Sequence, residues 1–113
     1  MRLLLTICCA VVVPLAGCTA SAPASFDTDA PDGRIEAIVA AARDNDRSTL
    51  ANLIEQLDSD DPAVRMFSIR SIERMTGRTM GYRHSDPDHV RREAVDRWVA
   101  WAEGGRAEGG DGQ

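Results

Sequence analysis

The sequence predicts an all-α domain of four helices between residues 32 and 103, and three observations lead to this prediction. Apolar residues in this stretch recur at intervals of three and four positions, which is the period of an amphipathic helix. Asp-rich turns separate the apolar stripes, and two of these turns end in proline, which the first turn of a helix tolerates well. No segment of strand length alternates apolar and polar residues, so no sheet is predicted.

The first two helices are predicted at 32–43 and 48–57. The first apolar stripe consists of Ile35, Ile38, Val39 and Ala42. The second apolar stripe consists of Leu50, Leu53, Ile54 and Leu57. Residues 44–48 between them read Asp-Asn-Asp-Arg-Ser, and short polar side chains of this kind cap helix ends. Because so short a turn joins the two helices, we expect them to pack antiparallel.

The third helix is predicted at 62–76, where both ends carry local signals. Asp61 has a side chain that accepts hydrogen bonds from the free N–H groups of a first helical turn. Pro62 at the first helical position loses no hydrogen bond, because a residue there has no partner inside the helix. Gly77 suits the position after a helix, where the backbone often turns left-handed. Two serines on the buried stripe would allow a neighbouring helix to approach closely.

The fourth helix is predicted at 87–103, because Asp86 and Pro87 repeat the pattern of an aspartate cap followed by proline. Its narrowest apolar arc consists of Val90, Ala94, Trp98 and Trp101. Trp98 and Trp101 are three positions apart and therefore share one face of the helix. They have two interpretations: core residues with indole N–H groups bonded at the margin, or an exposed aromatic surface that binds a protein partner.

The segment from Leu53 to Gly77 resembles a HEAT-like repeat. An Asp-rich turn, Pro62 and the pair Val64–Arg65 carry the resemblance, together with the small and aliphatic residues that follow. The wider stretch 32–103 is similar to a small bacterial HEAT-type domain, because a Thr-Gly…Gly-Tyr connection and a Trp-rich helix complete it. The resemblance implies two αα-hairpins, forming a short α-solenoid or a compact bundle, that present helix faces to a protein partner.

Arg65 is expected to have a structural role in this domain. In HEAT-like repeats the matching arginine commonly bonds a turn aspartate, so the resemblance implies an ion pair with Asp58, Asp60 or Asp61. A partly buried guanidinium also needs a carboxylate on physical grounds. Two hairpins are fewer than the ~3 repeats that a stable solenoid needs. We therefore expect the four helices to close as a bundle, with the connection at 77–86 covering one end.

The N-terminal residues predict export from the cytoplasm. A single charge at Arg2 precedes an apolar run over residues 3–15. This run is shorter than the ~20 residues that a membrane-spanning helix needs. A positive residue, a short apolar run and then small residues form the pattern of a secretory signal.

The apolar run ends in a motif whose residues are Leu15, Ala16, Gly17 and Cys18. This motif resembles the bacterial lipobox, in which an aliphatic and two small residues precede a cysteine. The resemblance implies that residues 1–17 are a lipoprotein signal peptide, that the Cys18 thiol receives a diacylglycerol, and that the new amino group is a further acylation site. Two or three acyl chains hold a protein stably on a membrane. The alternative is an ordinary signal peptide followed by a coincidental cysteine.

Cysteine usage agrees with lipidation. Cys8 and Cys9 lie within the apolar run and would be removed with it, so lipidated Cys18 leaves no thiol for a disulfide or for catalysis. The predicted location is the exported, periplasmic face of a cell membrane. Thr19 would allow outer-membrane delivery under the sorting rule of enteric bacteria, but this rule varies between lineages, so inner and outer membrane both stay open.

Flexible segments are predicted on both sides of the helical domain. Residues 18–31 are small and polar apart from two prolines and Phe26, so they are interpreted as the lipidated cysteine and a flexible tether. Phe26 is either an incidental linker aromatic or a residue that docks on the domain. Residues 104–113 are rich in glycine and cannot bury enough surface to become ordered, which predicts a disordered tail.

Composition argues against nucleic-acid binding. The chain has 18 acidic residues against 13 basic ones, all arginine, and a formal net charge of −5 at pH 7. Nucleic-acid binding requires clustered basic residues that displace counterions from phosphates. An aromatic content of 4% also leaves few side chains for stacking on bases.

No catalytic, metal or cofactor site is predicted. Side chains of metal-ligand type cluster at His84, Asp86, Asp88 and His89. Zinc needs three or four ligands in tight geometry, and Asp86 is expected to act as a cap, so a solvated helix start is the favoured interpretation. Motifs for a nucleophile or a phosphate loop are absent, so neither an enzyme nor a small-molecule substrate is expected.

The sequence therefore predicts a lipid-anchored module that binds another protein at the bacterial cell envelope. A structural envelope component without a defined partner site is the alternative, and a metal-binding or enzymatic domain is less favoured.

Overall fold

The computed structural model describes residues 23–109, with side chains described through Gly105. The helices are α1 (Pro31–Asp44), α2 (Leu50–Glu55), α3 (Pro62–Thr76) and α4 (Asp88–Gly109). Short 3-10 turns at Arg47–Thr49 and Gln56–Asp58 extend α2 at both ends. The described residues contain no strand, and the prediction of an all-α, four-helix fold is confirmed. The predicted signal peptide, the lipobox residues Leu15, Ala16 and Gly17, and Cys18 lie outside the described residues.

The start of α3 follows the local rules that predicted it. The Asp61 carboxylate accepts hydrogen bonds from the N–H groups of Ala63 and Val64, at 2.8 and 3.1 Å. Pro62 occupies the first helical position, and Gly77 after the helix has a left-handed φ of 72°. A capping side chain of this kind contributes about 1 kcal/mol to stability. The roles predicted for Asp61 and Pro62 are therefore those that the structure shows.

The Asp-Pro pair before α4 is placed one residue earlier, relative to its helix, than the Asp-Pro pair of α3. The carbonyl of Pro87 accepts the first helical hydrogen bond, from Arg91 N at 3.0 Å, so proline rather than aspartate stands at the cap position. The Asp86 carboxylate lies 3.7 Å from Arg83 Nε instead. The prediction of Asp86 as a side-chain cap is wrong, because the Asp86 N–H closes a turn on the carbonyl of Arg83 and Asp86 stands one residue before the cap position.

α1 and α3 lie side by side and point in the same direction. Arg34 near the start of α1 contacts Ser59 just before α3, and Ser71 Oγ donates to the carbonyl of Ile38 at 3.5 Å. Beyond the end of α1, Arg47 Nη2 donates to the carbonyl of Met75 near the end of α3 at 3.1 Å. Residue numbers rise together along this contact, so the helices are parallel and α2 returns the chain between them. Ser71 is small enough for its helix to approach the α1 backbone closely.

All four helices share one core. The large side chains with no exposed surface are Ile38, Leu53, Leu57, Val64, Ile72 and Trp98. Burying a side chain of this size contributes about 1.5–3 kcal/mol. Because members of α1, α2, α3 and α4 all contribute, the helices close as one bundle, in which α1 packs most closely on α3. The close contacts of α2 are with α3 and α4 rather than with α1, so the expected antiparallel packing of the first two helices is not the main contact of the fold.

The connection between α3 and α4 packs against this core through Tyr82. The Tyr82 hydroxyl donates to the carbonyl of Leu57 at 2.6 Å, and the Tyr82 ring is buried. The Tyr82 N–H donates to the carbonyl of Thr79 at 2.9 Å. This bond closes a turn in which Met80 and Gly81 have φ values of 53° and 73°. The connection thus covers one end of the bundle, as expected.

The segment before α1 is attached to the domain rather than free. Phe26 packs against the core, and its carbonyl accepts a hydrogen bond from Gln56 Nε2 at 3.4 Å. The Ser25 N–H donates to the carbonyl of Gly33 at 3.2 Å. The prediction of a flexible tether through residue 31 is therefore wrong for its second half. Burial of the aromatic ring and these two hydrogen bonds together hold the segment on the domain.

α4 continues past the predicted end at residue 103. It includes Gly104 and Gly105 and ends at Gly109. Each glycine costs a helix about 1 kcal/mol relative to alanine, but a helix that is already nucleated adds one hydrogen bond with each residue. The prediction that the disordered tail begins at residue 104 is wrong by this extension. No helix in residues 23–109 is both long and apolar enough to cross a membrane.

Candidate functional site

Trp98 and Trp101 take different positions although they share a helix face. Trp98 is 0% exposed, and its Nε1–H donates to the carbonyl of Thr79 at 3.0 Å. Trp101 is half-buried and meets Trp98 edge to face, with ring centroids 5.4 Å apart and an interplanar angle of 87°. Because Trp98 has no exposed surface, the partner-binding interpretation is wrong for it. Trp101 retains some exposed surface at the edge of the bundle.

Arg65 has a structural role, but its partners are carbonyl groups. Its Nη1 donates to the carbonyls of Ser59 and Asp60, both at 2.8 Å, and its Nε donates to the carbonyl of His84 at 3.3 Å. Within residues 23–109 it forms no ion pair with a carboxylate, so the expected ion pair is wrong. The Asp61 carboxylate is engaged in capping α3, and the free carbonyls of the turn lie nearer to the guanidinium. Arg65 therefore joins the turn before α3 to the connection before α4.

The cluster at the start of α4 consists of ion pairs and main-chain contacts. Asp88 pairs with both Arg91 and Arg92 on the surface of the helix. Among residues 23–109 no three His, Cys, Asp or Glu side chains lie close enough together to hold a metal ion. His84 contributes its carbonyl to Arg65, and His89 is exposed.

Burial raises the pKa of the Tyr82 hydroxyl above its usual value of 10.0. The charges of Arg65 and Arg91 act in the opposite direction, and the Asp58 carboxylate adds to the increase. The phenol therefore stays neutral well into the alkaline range and donates its hydrogen bond to Leu57.

A groove of about 530 Å³ runs between α2 and α4, and we call it the α2/α4 groove. Its apolar wall consists of Ala51, Ile54, Val95 and Val99. Val99 is 41% exposed, which is unusual for a large apolar side chain in the described part of the chain. Glu55 and Asp58 stand at the rim, and Arg34 and Gln56 supply polar atoms inside.

Two side chains that line this groove each carry a buried polar atom that has no hydrogen-bond partner within residues 23–109. These atoms are the acceptor Gln56 Oε1 and the donor Arg34 Nε. Gln56 is 8% exposed, and only its Nε2 is bonded, to Phe26. Arg34 uses Nη1 to bond Ser59 Oγ at 3.4 Å. A buried polar atom without a partner costs about 1–3 kcal/mol, so native proteins rarely keep one without a reason.

Neither Gln56 nor Arg34 was predicted as a site residue from the sequence. A signal for Gln56 was present, because it lies three positions after Leu53, where the helical period requires an apolar residue. Arg34 carried no comparable signal, since its side chain reaches the groove only because α1 packs beside the turn before α3.

A second groove of about 330 Å³ lies between α1 and α3, and we call it the α1/α3 groove. Its floor is formed by Val39, Ala42, Phe67 and Ser71, and its rim by Arg43, Arg70 and Arg74. Val39 is 43% exposed. Arg43 contacts Asp44 at 3.4 Å, whereas Arg70 and Arg74 form no ion pair among the described residues.

Comparison with known proteins assigns no family to the chain. No family model matches it, and no similar protein was found among curated proteins or among solved structures.

Proposed function

We propose that this protein is a lipid-anchored component of the bacterial cell envelope whose HEAT-like helical domain binds a protein partner through the α2/α4 groove. The Leu-Ala-Gly-Cys motif ending at Cys18 supports the anchor, on the exported face of either the inner or the outer membrane. The four-helix bundle supports an interaction module, because it offers helix faces and a groove. We assign it no enzymatic activity.

The observation that carries this proposal is the pair of unpartnered atoms on side chains that line the α2/α4 groove. Gln56 Oε1 lacks a donor and Arg34 Nε lacks an acceptor. Both atoms are closed off from solvent, so a partner reaches them only if the Arg34 and Gln56 side chains turn into the groove, where the N–H and C=O of a peptide group would complement them. A partner in the groove would also cover the exposed side chain of Val99, so that its apolar surface no longer contacts water. A peptide segment is therefore the partner that best matches the chemistry of this groove.

The distance from Cys18 to the domain favours a partner at the membrane surface. Because the chain is fixed on the domain from Ser25 onward, only residues 19–24 separate the domain from the predicted lipid anchor. A segment of that length spans at most ~20 Å. The α2/α4 groove would then lie within one domain diameter of the lipid headgroups.

Site-specific photocrosslinking in intact cells tests the partner. A photoreactive amino acid at position 99 lies in the groove, and the same amino acid at the exposed position 100 serves as the matched control on the same helix. We expect one dominant crosslinked protein from position 99 and none from position 100, and we expect Val99→Glu but not Ala100→Glu to abolish its recovery. Equal or diffuse crosslinking from both positions would favour a structural component without a partner site.

Mass spectrometry of the mature protein tests the anchor. We expect an N-terminal peptide that begins with diacylglyceryl-modified Cys18, and release of Cys18→Ala from the membrane fraction. A mature protein that begins elsewhere, or that carries an unmodified Cys18, would contradict the lipid anchor without affecting the groove.

A further inference from the structure

We propose that the α1/α3 groove is a second, separate binding surface that lays the domain on anionic phospholipid headgroups. The surface consists of Val39, Arg43, Phe67, Arg70 and Arg74, and we call it the basic face. This inference rests on the lipid anchor of the proposed function, because the anchor brings the domain within reach of the membrane.

Charge distribution is the first argument for the basic face. The chain is acidic, with a net charge of −5, yet arginines collect where α1 and α3 end. Because the two helices are parallel, their C-terminal halves coincide and bring Arg43, Arg70 and Arg74 around one groove. Each basic residue near an anionic membrane strengthens attachment by about fivefold, and here two of the three carry no competing ion pair in the described structure.

Four acidic side chains lie near this surface, but none of them lines the groove. Asp32 and Glu36 line a neighbouring cavity along α1, which also contains Val39 and Arg43 of the basic face. Asp44 contacts Arg43, and Glu73 lies three positions after Arg70 on the same side of α3, without an ion pair between them among the described residues. The groove itself is lined by three arginines and by no acidic side chain, so an anionic surface would be attracted to the groove rather than to the neighbouring cavity, which contains Asp32 and Glu36.

The position of the chain before α1 is the second argument. Ala24 lines the cavity that also contains Ile35, Val39 and Arg43. The described chain therefore enters along the same side of α1 that carries the basic face. A lipid on Cys18, six residues before Ala24, would hold this side of the domain toward the membrane. The α2/α4 groove, across the bundle, would then remain open to a protein.

The apolar residues of the basic face fit the same surface. Val39 is 43% exposed, and Phe67 is half-buried on the floor between the arginines. Arginine side chains that reach headgroup phosphates leave small apolar groups at the depth of the glycerol region, where their contact with water decreases. An acidic protein would also complement the arginines. Only a membrane ligand, however, explains why the chain that leads back to Cys18 enters the domain on this side.

Two matched labelling sites test the orientation. Val39→Cys and Val99→Cys each place one thiol on an exposed valine position, in the two different grooves. In lipidated protein the removal of Cys8 and Cys9 and the modification of Cys18 leave the introduced thiol as the single labelling site. The lipidated variants, labelled with a fluorophore, are reconstituted into vesicles of phosphatidylethanolamine and phosphatidylglycerol that contain brominated acyl chains.

We expect bromine quenching at position 39 to exceed quenching at position 99 by about twofold or more. The difference should decrease when salt is raised to ~1 M, because the screening length falls to ~3 Å. Arg70→Glu combined with Arg74→Glu should abolish it, whereas Arg83→Glu combined with Arg92→Glu, which changes the net charge equally, should preserve it. Thermal unfolding checks that the variants are folded.

Several outcomes would overturn the basic face. Equal quenching at the two positions, greater quenching at position 99, or a difference that persists in Arg70→Glu/Arg74→Glu would each do so. Failure of the lipid anchor gives a different result, because protein with an unmodified Cys18 would not sediment with the vesicles at all. A difference that requires an added acidic protein rather than phosphatidylglycerol would also reject the membrane as the ligand.

Discussion

The two grooves of this domain resemble each other in their apolar parts and differ in how their polar groups are placed. Each contains one valine that is more than two-fifths exposed, Val39 at 43% and Val99 at 41%. Side chains that line the α2/α4 groove carry buried atoms without partners, whereas the α1/α3 groove has charged groups at its exposed rim. A buried unpartnered atom favours a ligand that places a hydrogen-bonding group in one defined position. Exposed positive charge instead attracts any anionic surface. One small bundle can therefore offer a specific and a non-specific surface.

The difference arises from the elements that form each groove. α1 and α3 are regular helices, and arginines near their C-terminal ends favour the negative end of the helix dipole. α2 is only six residues long and passes into a 3-10 turn that contains Gln56. That tighter turn places the Gln56 amide inside the bundle rather than on its surface.

Loss of the shared core should remove both surfaces at once. Trp98→Ala is expected to lower the free energy of unfolding by about 3–5 kcal/mol, because Trp98 is 0% exposed and fills the centre of the bundle. Urea denaturation followed by circular dichroism measures the change. Trp101→Ala is the control, with a smaller loss since Trp101 is half-buried. Equal losses in the two variants would show that the bundle does not depend on Trp98 as its centre.

Loss of the α3 cap should weaken the fold without changing either groove. Asp61→Ala is expected to cost about 1 kcal/mol, because the N–H groups of Ala63 and Val64 lose their acceptor. The thermal midpoint measures this effect, and Asp86→Ala provides the matched control at the other Asp-Pro pair. That control should cost less, because the Asp86 carboxylate caps no helix. A larger loss in Asp86→Ala would contradict the difference between the two helix starts.

Removal of the unpartnered acceptor should separate stability from binding. Gln56→Met is expected to change the free energy of unfolding by less than about 1 kcal/mol, because removal of the unpartnered Oε1 offsets loss of the long hydrogen bond from Nε2 to Phe26. Partner recovery by crosslinking from position 99 should fall in the same variant. Ser71→Ala, in the α1/α3 groove, should not affect this recovery. A loss of stability above about 1 kcal/mol with full partner recovery would reject the role assigned to Gln56.

High pH should lower the stability of the bundle where Tyr82 contacts the 3-10 turn at Gln56–Asp58. The folded pKa of Tyr82 is raised, so its contribution is fully present below the unfolded pKa of 10.0 and is lost as pH rises through the folded value. Residues 23–109 contain no lysine or cysteine, so Tyr82 is the side chain that titrates there in this range. We expect unfolding free energy to fall above pH ~10. Tyr82→Phe should be less stable at neutral pH, but its free energy of unfolding should not change with pH across this range. An equal decrease at alkaline pH in Tyr82→Phe would contradict the assignment.

The helices and most of their ends could be predicted because their causes are local. Apolar spacing placed the helical stripes within a few residues of α1, α2 and α3, and Asp61, Pro62 and Gly77 determined both ends of α3. Each of these signals acts within one or two helical turns, through hydrogen bonds and backbone angles that neighbouring residues control. Local sequence signals could not distinguish Asp86 from Asp61, because the turn before α4 places Pro87 rather than Asp86 at the cap position.

The tertiary structure alone decided which side chains became available for binding. Trp98 and Trp101 share a helix face, but packing buried one and left the other at the edge. Arg65 donates hydrogen bonds to carbonyl groups up to 19 positions away in the sequence, and Gln56 donates one to the carbonyl of Phe26, 30 positions away. Such pairs depend on how helices approach one another, which local periodicity does not specify. The sequence by itself therefore determined the helices of this protein, whereas the packing of those helices determined its two grooves.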